Sequence, residues 1–190
     1  MQTRALPDLP KTTSNVYTSY IRQFLASPRT VGSVIPSSAT LCRTMMNQID
    51  WSETFTIAEL GSASGVLTKK VLWRMHPDAQ LDAYEINPQF IPQLQAINNK
   101  RLNVVAASAE QLIRPYDAIF SCLPLLSMPL RVVTRIMHQV QHNLSPQGTF
   151  IQFQYSPFSE KLLSRYFDWQ RVMVLKNIPP ALVYVCTLRK

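Results

Sequence analysis

A chain of 190 residues, with Cys42, Cys122 and Cys186 in no Cys-x-x-Cys array, can bury one full core without disulfides or a zinc site. Its formal charge of +8 and pI near 9.7 favour a polyanionic partner, nucleic acid or anionic lipid, although the cations are spread along the chain and form no block. The opening Met1–Pro10 lacks the apolar centre of a signal peptide, and no run of about 20 apolar residues reads as a membrane span, so the expectation is a cytoplasmic protein, free or seated on a membrane surface.

Residues 1–12 read as a loose arm rich in proline and polar groups. From Thr13 to Ala26, the residues Val16, Tyr17, Tyr20, Ile21, Phe24 and Leu25 fall on one helical stripe flanked by Lys11, Arg22 and Arg29. The amphipathic helix this predicts either packs on the domain or lies in a lipid interface. Gly32 and Pro36 punctuate the connection Pro28–Ser38, and Ser37 and Ser38 are N-cap candidates for a helix to about Ile49. Residues 1–50 thus form an N-terminal arm with helices, and residues 51–190 the main domain.

The stretch Ile57-Ala58-Glu59-Leu60-Gly61-Ser62-Ala63-Ser64-Gly65-Val66-Leu67-Thr68 reads as a strand, a tight small-residue turn and the first turn of a helix. Two of only four glycines, Gly61 and Gly65, bracket the turn. Glycine is needed where Cβ would block a positive φ or a close backbone approach, so this loop is one over which a ligand lies. A Gly-x-Gly-x-x-Gly dinucleotide fingerprint would need glycine where Ala63 and Val66 stand, and Lys69 and Lys70 come too late for a Walker loop. Leu81–Ile86 is a largely apolar run carrying Glu85 at 20 residues beyond Gly65. That is the spacing at which nucleotide-binding βαβ units place a carboxylate for the ribose hydroxyls.

Strands and helices then alternate: strand 55–60, helix 65–75, strand 80–86, helix 88–97, strand 102–106, a short helix from Ser108, strand 117–121, helix 129–143, strand 149–155, helix 158–167, and apolar runs 172–175 and 181–188 that close as a hairpin. Alternation of this kind specifies an α/β fold: a Rossmann-like, doubly wound, seven-stranded sheet, mostly parallel, with a C-terminal antiparallel hairpin. His138 and His142 have i,i+4 spacing but no third partner, so no metal is expected.

Five stretches together carry a family resemblance: Gly32-Ser33-Val34-Ile35-Pro36-Ser37-Ser38, Glu59-Leu60-Gly61-Ser62-Ala63-Ser64-Gly65, Ser121-Cys122-Leu123-Pro124-Leu125-Leu126, Gln152-Phe153-Gln154-Tyr155 and Asn177-Ile178-Pro179-Pro180-Ala181. On these the sequence resembles the bacterial phospholipid N-methyltransferases, class I S-adenosylmethionine-dependent enzymes that methylate phosphatidylethanolamine. The resemblance implies S-adenosylmethionine as cofactor, an anionic phospholipid membrane surface as partner, and a place on the inner face of the cytoplasmic membrane. It implies that Gly32, Ser37 and Ser38 wall the methionine end, and that Glu59, Gly61, Ala63 and Gly65 line the cofactor's path. Glu85 would hold the ribose, with Ser108, Ala109 and Ser121 completing the site. Ala63 stands where the family has glycine. Ala107-Ser108-Ala109 stands where many members have Gly-Asp-Ala, leaving Ser108 as hydrogen-bond acceptor in place of a carboxylate.

Transfer of a methyl group to an amine is an in-line displacement governed by proximity and orientation. The amine must first shed a proton, and none of the 11 acidic residues is an obvious base. Tyr20 and Tyr155 are the candidates for orienting a head group, because aromatic faces attract methylated ammonium. A nucleic-acid methyltransferase is the rival enzyme, but Cys122-Leu123-Pro124-Leu125 lacks the amide and the aromatic ring with which such enzymes grip a base, which disfavours nucleic acid. A noncatalytic, membrane-associated binder of the same cofactor is the third reading, prompted by the departures at Ala63 and Ser108.

Overall fold

The computed structural model describes residues 39–189. The amphipathic stretch 13–26 and the candidates Tyr20, Gly32, Ser37 and Ser38 lie outside the described residues. The elements are α1 (Ala39–Met46), β1 (Thr56–Leu60), α2 (Val66–Arg74), β2 (Gln80–Tyr84), α3 (Ile91–Gln95), β3 (Leu102–Val105), β4 (Tyr116–Ser121), α4 (Leu130–Asn143), β5 (Leu144–Gln154), α5 (Glu160–Leu163), β6 (Phe167–Val174) and β7 (Ala181–Leu188), with 3-10 turns at Leu125–Ser127 and Pro157–Ser159.

The seven strands lie in the order β3-β2-β1-β4-β5-β7-β6. The β1, β2, β3, β4 and β5 pairings are parallel, whereas β7 runs antiparallel to both β5 and β6. This is the predicted doubly wound sheet with its closing hairpin. Each face buries its own core. On one, Val133, Ile136, Met137 and Val140 of α4, spaced to share a helical face, pack on Leu60, Ile119, Phe150 and Tyr184. On the other, Leu41, Cys42 and Met45 of α1 and Val71 of α2 pack on Ile57, Phe120, Ile151 and Val183. The central strands are covered on both sides, which is why they read as continuous apolar runs.

Asp117 staples β4 to the start of β1. Its carboxylate accepts from the Phe55 and Thr56 amides at 3.0 and 2.9 Å, from Thr56 Oγ1 at 2.8 Å and from Ser145 Oγ at 3.1 Å. Burial works to raise its pKa, but these donors outweigh it and hold the carboxyl below its ordinary range.

Three elements differ from the sequence expectation. The short helix predicted from Ser108 is a turn, in which the Gln111 amide donates to the Ser108 carbonyl and the Glu110 amide to Ser108 Oγ. Pro115 pushes Arg114 out of the helical region, and too few residues remain to nucleate a helix. The helix expected over 158–167 stops at Leu163, and β6 starts at Phe167, earlier than the apolar run at 172. Asp168, Gln170 and Arg171 mask that strand in sequence because it is a sheet edge, where polar side chains face water. Finally, β5 begins at Leu144, and the predicted Pro146–Gly148 turn is an irregularity within it between the pairs Tyr116↔Leu144 and Ala118↔Thr149.

Candidate functional site

Parallel strands all end on one edge of the sheet, and the described sequence stretches singled out above meet there. The turn after β1 is built from three left-handed residues: Gly61 at φ 77°, Ala63 at φ 45° and Gly65 at φ 78°. A side chain at Gly61 would place Cβ 2.9 Å from Leu123 Cδ2, and one at Gly65 would lie 3.1 Å from both Ile97 and Leu94. The turn is tied to β2 by the Gly61 and Ser62 amides, which donate to the Tyr84 carbonyl at 2.9 and 3.2 Å. Gly65 caps α2 without a side-chain partner, so the first amides of that helix point at the turn with their positive end.

Ala63 holds a conformation that costs an L-residue about 1 kcal/mol or more. The departure from glycine is therefore met by backbone strain at that position. Ala63→Gly is expected to leave thermal stability unchanged or raise it slightly, since relief of the strain offsets the added unfolded-state entropy. S-adenosylhomocysteine affinity should be equal or tighter. A clear fall in melting temperature would show that the alanine methyl packs usefully.

Glu85 follows the end of β2 and is 5% exposed. Its Oε2 accepts from the Ala63 amide at 2.7 Å, and its Oε1 accepts from the Ile86 and Asn87 amides at 2.9 and 2.7 Å. One carboxylate thus joins the glycine turn to the β2 exit. Burial raises its pKa, and the three amides act against that rise.

Glu59 lies on the side of β1 that faces α2, where its Oε2 accepts from Thr68 Oγ1 at 2.6 Å. It is 1% exposed, and burial pushes its carboxyl up to about 8 from an ordinary 4.5, with Thr68 opposing the shift. Because the folded chain holds this proton far longer than the unfolded chain, the stability it confers is complete below about pH 4.5 and is lost as pH rises through 8. Glu59→Gln keeps an acceptor for Thr68 but cannot ionise. Thermal melts across pH should show this variant gaining on the wild type above about pH 5, with a residual slope left by Glu85. Parallel curves at all pH values would contradict the buried, protonated state.

At the β3 exit, Ser108 Oγ is 3.1 Å from Glu110 Oε2, which places a carboxylate beside the position where the family's aspartate is missing. Glu110 also pairs with Arg135 at 3.3 Å. Ala109 is buried in the core with Leu112 and Leu123. Ser121 is fully buried at the end of β4, where its Oγ accepts from the Leu123 amide at 3.3 Å.

The β4 exit is held from β5. Gln152 and Gln154, which share one face of that strand, each donate Nε2 to the Leu123 carbonyl at 3.1 Å, and Gln152 also donates to the Phe153 carbonyl at 2.7 Å. Both glutamines are buried, and Gln152 Oε1 has no hydrogen-bond partner among the described residues. Tyr155, one residue beyond β5, packs edge-on against Phe153. Burial raises its pKa, with Asn177 opposing, so its hydroxyl stays protonated and serves as a hydrogen-bonding group. Gln152, Gln154 and Asn177 lie in stretches that carry the family resemblance, but no role attaches to them from the sequence. Their signal was polarity inside an otherwise apolar strand and hairpin.

The described residues fit S-adenosylmethionine: a strained turn with low side chains, a helix N-terminus for a carboxylate, and a buried carboxylate at the β2 exit.

No protein-family model matches the chain. It is 30% identical over 179 residues to the ornithine lipid N-methyltransferase of Singulisphaera acidiphila, covering 88% of this chain and 93% of that protein. Among solved structures, the N-methyltransferase NodS from Bradyrhizobium japonicum WM9, in complex with S-adenosyl-L-homocysteine, superposes with a TM-score of 0.72 at 14% identity, covering 93% of this chain and 100% of that one. The 1,6-didemethyltoxoflavin-N1-methyltransferase of Burkholderia thailandensis, with bound 1,6-didemethyltoxoflavin and S-adenosylhomocysteine, gives 0.68 at 17% identity over 97% of this chain and 94% of that one. The chain therefore belongs to the family of the ornithine lipid N-methyltransferase and is an S-adenosylmethionine-dependent enzyme of the class I methyltransferase fold.

Proposed function

We propose that the chain methylates the amine of a membrane lipid, working as a peripheral protein at the inner face of the cytoplasmic membrane. The observation that carries this reading is the similarity to an ornithine lipid N-methyltransferase over 88% of the chain. The sequence stretches shared with the phospholipid enzymes point to phosphatidylethanolamine, so the two acceptors share one chemistry, an amine on an acyl-chain lipid. Among the described residues no helix is long and apolar enough to cross a membrane.

S-adenosylmethionine supplies the electrophilic methyl group. Gly61, Ala63, Gly65 and the start of α2 would hold its methionine end, Glu85 its ribose, and Ser108 with Glu110 its adenine edge. What remains for the protein is to bring an uncharged amine to the β4 and β5 exits. The carboxylates placed around this edge are engaged: Glu85 by three amides, Glu110 by Ser108 and Arg135, and Glu160 by Arg171 and Tyr184. Proton loss therefore runs to water, while Tyr155 orients the nitrogen through its hydroxyl and ring face. The apolar exit Leu123-Pro124-Leu125, with Leu123 and Leu125 turned into the core, offers no ring on which a nucleobase would stack.

The test is methyl transfer from isotope-labelled S-adenosylmethionine to vesicles containing phosphatidylethanolamine or ornithine lipid, read by lipid mass spectrometry. Labelled methyl on either lipid amine is the expected result. Label found in RNA supplied alongside the vesicles, and in neither lipid, overturns the reading.

A further inference from the structure

The carboxyl edge carries a rim that the chemistry above does not use. The 3-10 turns Leu125–Ser127 and Pro157–Ser159 touch one another, and each presents an apolar side chain to solvent: Leu126 is 49% exposed and Phe158 is 81% exposed. The loop between β6 and β7 opens on the same edge, since β7 begins beside the end of β5 with Leu182 opposite Gln154. It presents Leu175 at 70% and Ile178 at 82%. Four large apolar groups on three separate segments thus lie on the sheet edge where β4 and β5 end. Buried Asn177 braces their loop from within by donating to the Pro179 carbonyl at 2.6 Å.

The charge on this rim has one sign. No carboxylate occurs in the sequence between Asp117 and Glu160, and Glu160 is taken up by Arg171 and Tyr184. Exposed Arg131 on the first turn of α4, Lys161 on α5 and Lys176 between Leu175 and Asn177 stand among the apolar groups. Apolar side chains interleaved with cations at one protein edge match an anionic bilayer surface, where the former enter the headgroup boundary and the latter meet phosphates. A nucleic acid would match the cations but not the four apolar groups.

We infer that this rim, formed by Leu126, Phe158, Leu175, Ile178 and the cations Arg131 and Lys176, seats the enzyme on an anionic membrane with its acceptor mouth facing the lipid. The inference rests on the lipid reading of the acceptor and adds the docking surface. An acceptor whose acyl chains stay in the bilayer reaches the methyl group only if the carboxyl edge faces the headgroups, and the rim segments lie on that edge.

The test is flotation of the full chain with vesicles of phosphatidylglycerol and phosphatidylcholine. Calorimetric binding of S-adenosylhomocysteine serves as the check on folding. The double variant Phe158→Ser with Ile178→Ser should partition about tenfold more weakly or worse, at low and high salt alike. Lys176→Glu should weaken partitioning at low salt only, because salt screens the exposed charge. Trp73→Ser is the control: Trp73 is 87% exposed but sits at the far end of α2, on the opposite edge of the sheet, and its loss should change nothing. The inference fails if the double variant, folded and binding the nucleoside, floats as the wild type does, or if Trp73→Ser costs as much. Loss of flotation in the rim variants with no methyl transfer to either lipid by the wild type would keep the rim and remove the acceptor reading. Methyl transfer to a detergent-dispersed lipid by a wild type that never floats would do the reverse.

Discussion

Glu85→Ala should bind S-adenosylhomocysteine at least about tenfold more weakly than the wild type in calorimetry. Loss of a charge-assisted hydrogen bond to a ribose hydroxyl is worth about 1.5–3 kcal/mol, and about 1.4 kcal/mol is a factor of ten. The structure adds a second cost. The carboxylate is the acceptor for the amides of Ala63, Ile86 and Asn87, so alanine also frees the glycine turn from the β2 exit. Glu85→Gln separates the two effects. Its single carbonyl oxygen can accept from the Ala63 amide or from those of Ile86 and Asn87, but its amide nitrogen then faces the other donors, so it should recover part of the stability while losing the charge-assisted part of the affinity. Unchanged affinity in Glu85→Ala would remove Glu85 from the cofactor site.

Asp82→Ala should lower the unfolding free energy by about 1–3 kcal/mol, the cost of taking the acceptor from a buried polar group. Asp82 is fully buried on β2 and accepts from Arg114 Nε at 2.8 Å, Tyr116 OH at 2.8 Å and Asn103 Nδ2 at 2.9 Å. Tyr116 OH lies 2.8 Å from Tyr84 OH, which in turn accepts from the Ile113 amide at 3.1 Å. Removing the carboxylate takes the acceptor from the buried Tyr116 hydroxyl, while Arg114 and Asn103, which reach the surface, can turn to water. Urea titration should show a lower midpoint at an unchanged slope. Asp82→Asn, which keeps the shape and one acceptor oxygen, should cost less. Because Arg114 and Ile113 anchor the turn that carries Ser108, the alanine variant should also weaken cofactor binding. A loss below about 1 kcal/mol would mean that water reaches the network and replaces the carboxylate.

Much of the site was legible in the residues because it obeys local rules. A turn that needs positive φ selects glycine, and it did so at Gly61 and Gly65; the carboxylate spaced 20 residues beyond Gly65 stands just past the tip of β2, where it binds the turn. Asp82 illustrates the limit. It is three residues from Glu85 in the same short run, yet only the placement of β2 between β1 and β3, with Tyr116 and Arg114 arriving from further along the chain, makes it the centre of a network.

Periodicity and backbone freedom are properties of neighbouring residues, so the alternation of strands and helices, the glycine turn and the spacing to Glu85 can be read along the chain. The clamp of Gln152 and Gln154 on the Leu123 carbonyl, the left-handed Ala63, the burial that raises the Glu59 pKa, and the common edge of Leu126, Phe158, Leu175 and Ile178 come from the fold. Each of these depends on which segments the strand order brings together at the carboxyl edge. Burial, and the cost of charge within it, is set by neighbours that are distant along the chain.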